Sequence, residues 1–232
     1  MDKFKYAIFE DEKGDLSLLI ESGKNSFVIE RDVIANVHIT STALASMVAY
    51  ALEVYKCETF GLLLGTRKGK NFFVDTAIAH QTAARNTTGV CPSSRLFTLG
   101  RVIANCAAKD IVGDYHSHPD GGKSKGHTIP SWQDFDGADF NDLMVIVGIN
   151  YRGKHKSPTK LLQKYEPKKI EWEQPDDGCV IQCRYGEFTL TFSAYSKIPG
   201  TEHVPAFLRR LKIHIKPDKT TCLGKKERVD GK

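Results

Sequence analysis

No stretch of this 232-residue chain reaches the ~18 consecutive apolar residues that a membrane helix needs. A bilayer span is therefore not expected. The N-terminus, MDKFKYAIFEDEKGD, lacks the basic-then-apolar order of a secretory leader. Cysteine is sparse and scattered: Cys57, Cys91, Cys106, Cys179, Cys183 and Cys222, with no C-x-x-C among them. A disulfide framework is excluded by that pattern in a chain of this length, and a cytoplasmic protein is expected. Cys179 and Cys183 share a face of a strand-like segment, either as two buried small residues or as a metal pair. From Arg209 onward there is no Phe, Trp or Tyr, which excludes a base-stacking platform there. The same stretch holds nine Lys/Arg against three Asp/Glu, and so accounts for the whole net charge of +5. Such an end is either a solvated tail or an electrostatic hold on nucleic acid or an acidic partner. There is no internal repeat and no low-complexity block.

The composition present is that of an ordinary globular chain: 41% hydrophobic and 26% charged residues are enough to bury a core. Residues 4–31 read as short strands separated by turns, punctuated by Gly14 and Gly23. A strand at Asn36–Thr40 follows. The period then changes, and Leu44, Met47, Val48, Ala51, Leu52 and Tyr55 recur at helical spacing, with Ser41 or Thr42 as the cap. Two strands flank the turn RKGKN. A second helix is expected from Ser93, with Leu96, Leu99, Ile103, Cys106 and Ala107 on its apolar face. The strand DIVGDYH, a short helix in PSWQDFDGAD and the apolar strand LMVIVGINY complete a β-α-β-β-α-β-α-β order over Asn36–Tyr151. That order predicts an α/β layered domain. Beyond it, KKIEWEQ, GCVIQCRY and EFTLTFSAY read as strands.

The stretch DYHSHPDGGKSKGHTIPSWQDFDGAD, Asp114–Asp139, carries the chemistry. Gly122, Lys123 and Ser124 supply the second half of a phosphate loop, but the required first glycine is replaced by Ser117, and Gly126 and Pro130 break any helix that follows. A nucleotide site is thereby disfavoured. In an extended strand His116 and His118 project to one side. Asp134, one helical turn after Ser131, can bring a carboxylate to the same place. Two histidines, a carboxylate and a water make an open zinc site. The competing reading is a helix capping box, Ser131 with Asp134, which needs no metal.

ETFGLLLG (Glu58–Gly65), HSHP (His116–Pro119) and PSWQD (Pro130–Asp134), in that order, resemble the E-x-x-G, H-x-H-P, S-x-x-D pattern of the JAMM, or MPN-plus, zinc metalloproteases. The resemblance covers about Asn36 to Tyr151. It implies an MPN core, a mixed β-sheet flanked by helices, with one zinc ion per chain. It implies His116, His118 and Asp134 as metal ligands, Glu58 as acid/base and Ser131 as the donor to the developing oxyanion. The activity implied is hydrolysis of an amide or isopeptide bond at the C-terminus of a ubiquitin-like or sulfur-carrier protein, by a prokaryotic-type member. A non-catalytic MPN scaffold, and a RadC-like or nucleic-acid-associated protein using the basic tail, are the alternatives. The resulting division is a β extension at 1–35, the core at 36–155, a β-rich extension at 156–208 and a basic tail at 209–232. The extensions are expected to pack on the core, join two copies or hold a protein substrate. Twelve residues separate His118 from Ser131, a longer gap than the family's usual one. The extra material, GGKSKGH, is expected as a loop over the site. His127 within it is either a solvated loop residue or a further ligand.

Overall fold

The computed structural model describes residues 5–10, 16–22, 25–30, 35–120, 125–139, 141–153, 170–174, 178–200 and 206–217. In chain order the elements are β1 (Lys5–Glu10), β2 (Leu16–Ser22), β3 (Asn25–Glu30), β4 (Asn36–Thr40), α1 (Ser41–Glu53), β5 (Phe60–Lys68), β6 (Asn71–Ala79), β7 (Ala84–Arg85), β8 (Val90–Cys91), α2 (Ser94–Cys106), β9 (Asp110–Pro119), α3 (Trp132–Gly137), β10 (Leu143–Tyr151), β11 (Glu171–Glu173), β12 (Val180–Tyr185), β13 (Phe188–Ile198) and β14 (Phe207–Lys216). The expected alternation over Asn36–Tyr151 is present, with the small β7–β8 hairpin inserted before α2.

The expected flanked sheet is corrected to a closed one. The strands run β14-β4-β6-β5-β9-β10-β13, and β13 pairs again with β14. Closure is the work of β14, which lies antiparallel to β13 (Ala194↔Leu211) and parallel to β4 (Ile213↔Val37). The closed ring encloses its own core, and the sheet's edges pass to the outer strands β1 and β11. That core is built around α1. Leu44, Met47, Val48, Ala51 and Leu52 are buried together with Val37, Ile39, Val145, Phe192, Leu211 and Ile213 from strands around the ring. The helix begins one residue earlier than the Ser41 or Thr42 reading, with Thr40 as cap, its Oγ1 accepting the Ala43 N–H at 3.2 Å. It ends at Glu53, before the expected stop near Cys57.

Two helices lie outside the ring. Helix α2 buries Leu96, as expected, but together with Gly100 and Ala104 rather than with the expected Leu99, Ile103, Cys106 and Ala107. A Cβ on Gly100 would meet Leu62 Cδ1 at 2.3 Å, so the small residues set how closely the helix lies. Phe97, Leu99, Val102 and Ile103 are consequently left 41–54% exposed. Helix α3 sends Phe135 into a second cluster with Met144, Ile146, Tyr195 and Leu208.

The basic tail is also corrected. Arg209, Arg210, Lys212 and Lys216 belong to β14, and residues 218–232, with Cys222, lie outside the described residues. Of the seven barrel strands, β4, β5, β6, β9 and β10 fall within 36–155, while β13 and β14 come from beyond it. The strands at 1–35 form an antiparallel meander joined to the barrel where β3 pairs with β14 (Ile29↔Leu208). Cys179 and Cys183 are both buried, and burial pushes the Cys183 thiol up to about 12. That disfavours the thiolate a metal pair would need.

Candidate metal centre

Strand β9 is extended, so Asp114, His116 and His118, two residues apart, fall on one of its faces. Neighbouring β10 runs parallel to it (Ile146↔His116), and β5 runs antiparallel (Phe60↔His116). The antiparallel register carries on past Phe60. Ser117 N–H donates to Thr59 O at 3.1 Å, and Thr59 N–H donates to Ser117 Oγ at 2.9 Å. Glu58 is thereby set opposite His118. Its own N–H donates to Asn86 O at 2.9 Å, tying it also to the β7–β8 hairpin.

Helix α3 delivers Asp134. Its capping box is present: Ser131 Oγ accepts from Asp134 N–H at 3.2 Å, and Asp134 Oδ2 accepts from Ser131 N–H at 2.6 Å. The cap and the metal reading are therefore not rivals. The carboxylate that closes the cap also faces both imidazoles, with Oδ1 3.1 Å from His116 Nε2 and Oδ2 3.4 Å from His118 Nε2. One ligand atom from each of His116, His118 and Asp134 lies within 4.8 Å of the others.

The fit to a metal rests on His116. Its Nε2 is buried, and its near neighbour is Asp134 Oδ1, 3.1 Å away in an ion pair. A proton there answers the carboxylate in the metal-free chain. Once that proton leaves, nitrogen and oxygen lone pairs converge on one point, which a cation satisfies, and N,N,O donors suit zinc. His118 is oriented from behind, because its Nδ1 lies 3.2 Å from His127 O. That contact selects the tautomer with Nδ1–H donating and Nε2 free to ligate.

Charge on the site follows from this packing. Burial would lower the His116 pKa, but the Asp134 carboxylate outweighs it and pushes the group up to about 9 in the metal-free chain. Burial would raise Asp134, but His116 and then His118 hold it well below the usual carboxylate range. Glu58 is raised, chiefly by burial, with the two imidazoles opposing. A carboxyl raised by burial is a better proton acceptor than a solvated one.

His116, His118, Asp134, Ser131 and Glu58 are thus brought to one place. His127 is not one of the converging ligand residues. It offers its carbonyl to His118 and sets its exposed ring edge-on to that imidazole, with centroids 5.1 Å apart. Residues 121–124 of the inserted segment lie outside the described residues, but its far end is anchored. Asn150 bonds both backbone groups of Gly126, at 3.1 and 2.8 Å, and a Cβ on Gly126 would meet Ile149 O at 2.2 Å. Tyr195 Oη donates to Thr128 O at 2.9 Å.

Asp114 was missed in the sequence. Burial pushes its carboxyl up to about 7, with the Asp134, Asp142 and Asp139 charges adding to the rise. The signal was available, since D-x-H-x-H places all three side chains on one face of a strand.

Residues 40–159 match the family model described as prokaryotic homologs of the JAB domain. No curated protein matches the chain. Among solved structures, the solution structure of protein DSY2949 from Desulfitobacterium hafniense is 17% identical, with a TM-score of 0.48, covering 80% of this chain and 97% of that one.

Proposed function

The chain belongs to the family of prokaryotic homologs of the JAB domain, and from that premise we propose that it is a zinc-dependent hydrolase. Its substrate on this reading is an amide or isopeptide bond at the C-terminus of a ubiquitin-like or sulfur-carrier protein. The observation that carries the reading is the convergence of the His116, His118 and Asp134 ligand atoms, with Glu58 set across the strand pair from His118.

His116 Nε2, His118 Nε2 and an Asp134 oxygen would hold one zinc ion. Bound there, zinc supplies Lewis acidity and lowers the pKa of a water to ~7. The chain's own groups do the rest. Glu58 takes a proton from the attacking water and delivers it to the leaving amine. Burial raises its pKa above the ordinary carboxylate value, which favours its holding the proton between the two transfers. Ser131 Oγ already accepts the Asp134 N–H. The cap uses only a lone pair of that oxygen, so its O–H can donate to a carbonyl oxygen as negative charge develops. His127 O keeps His118 in the ligating tautomer.

The test is metal content joined to turnover. Protein purified without added zinc is expected to hold about one ion per chain, as an open three-residue site implies. His116→Ala or Asp134→Ala should lose both metal and activity. Glu58→Gln should keep the metal and lose ~10²–10⁴-fold in kcat on a ubiquitin-like fusion. Full activity in Glu58→Gln would remove the assigned acid/base. Absence of metal from the wild type, even after zinc is supplied, would remove the function.

A further inference from the structure

Asp134 and Ser131 both depend on α3, which has only six residues. A helix that short does not hold itself together in water. Its N-terminal end is closed by the capping box and its middle by Phe135 in the second cluster. Its C-terminal end is held by a residue that lies far away in sequence. Lys197, on β13, donates from Nζ to Ala138 O at 3.1 Å and to Asp136 O at 3.4 Å. The ammonium also lies over the Phe135 ring, 4.8 Å from its centroid. The Lys197 main-chain carbonyl accepts the Asn141 N–H at 2.7 Å. One residue thus clamps both ends of the turn that leads from α3 into β10.

Lys197 is only 9% exposed. An ammonium is expensive to bury unless donors and charge are compensated. Here the compensation comes from the free carbonyls at the negative end of a helix and from an aromatic face. Those carbonyls lie two and four residues beyond Asp134, which itself accepts the Ala138 N–H through its carbonyl at 3.1 Å. Any loosening at Ala138 is therefore passed directly to the Asp134 backbone.

We infer that Lys197 is a positioning residue for the metal centre: through the α3 carbonyls it fixes where Asp134 presents its carboxylate and where Ser131 presents its hydroxyl. The inference rests on the metal-site reading above and assigns a determinant of that site outside the E-x-x-G, H-x-H-P and S-x-x-D motifs.

The experiment compares wild type with Lys197→Met, Lys197→Gln and Lys197→Arg. Met keeps the length and apolar stem but removes the charge and the donors. Zinc dissociation constants are measured by chelator competition, and the Co2+-loaded proteins are compared by visible absorption. Apo-protein unfolding is followed in parallel to separate site effects from global ones. Losing a group that orients a ligand typically weakens metal binding by ~10-fold or more. That weakening and an altered Co2+ spectrum are expected for Met and Gln, with Arg restoring both toward wild type. A neutral variant with wild-type zinc affinity and spectrum overturns the inference; Gln serves this purpose if Met does not fold. If the wild type itself takes up no zinc, the failure belongs to the proposed function and not to Lys197.

Discussion

Asp134 closes a helix cap and faces two imidazoles with the same carboxylate. Proton and metal compete for the atoms opposite it. In the metal-free chain His116 is pushed up to about 9 and so carries a proton at neutral pH, whereas zinc takes only the neutral ring. The sign follows: binding zinc expels a proton at any pH below about 9. Apparent zinc affinity is therefore expected to climb with pH by up to ~10-fold per unit through the neutral range and to level off once that group is deprotonated. Chelator competition across buffers reads this, and an affinity independent of pH would contradict it. On the proposed mechanism Ser131 would also have two roles, helix cap and oxyanion donor. Ser131→Ala should cost ~1 kcal/mol of stability through the lost cap. It should also cost ~10²-fold or more in kcat through the lost oxyanion donor. Thermal unfolding and kinetics separate the two effects.

At the scale of elements, periodicity identified α1, α2 and the buried Leu96, but misplaced the rest of the α2 face. Leu99 and Ile103 have helical spacing, yet Gly100 and Ala104 are the residues buried with Leu96. Periodicity reports that an apolar stripe exists. Which stripe touches the sheet depends on how closely the backbones approach, and a glycine permits the closest approach. Gly100→Val should therefore lift α2 off Leu62 and cost ~1–3 kcal/mol as overpacking, seen as a lower Tm. An unchanged Tm would mean that the stripe is not a close contact. α3 shows the opposite case. Its capping box was legible from S-x-x-D alone, while its C-terminal clamp was not, because Lys197 lies on a strand more than fifty residues further on.

For the whole molecule, the decisive element is β14. All but the first two residues of its sequence, FLRRLKIHIK, are read from sequence as the start of a basic tail at 209–232, because Arg209, Arg210, Lys212 and Lys216 dominate its charge. The buried Leu208 precedes those cations, and the buried Leu211 and Ile213 lie between them. Leu211 touches the core from the strand that joins β13 to β4, so Leu211→Ala should destabilise by ~2–5 kcal/mol. A true tail residue would change stability by about 0.5 kcal/mol or less. Denaturant unfolding distinguishes the two. Among the described residues no helix is long and apolar enough to cross a membrane.

The sequence by itself determined the chemistry-bearing residues and the local elements that carry them. H-x-H in a strand aims two rings one way, and S-x-x-D at a helix start brings a carboxylate back toward its own cap; both depend only on local backbone geometry. Only the tertiary structure decided that the sheet closes around α1. It alone showed that Glu58 faces His118 across a strand pair, that His127 supplies a carbonyl to orient His118, and that Lys197 holds α3 in place. Each of these joins segments far apart in the chain, and strand pairing and side-chain reach across such distances leave no periodic trace in the residues that make them.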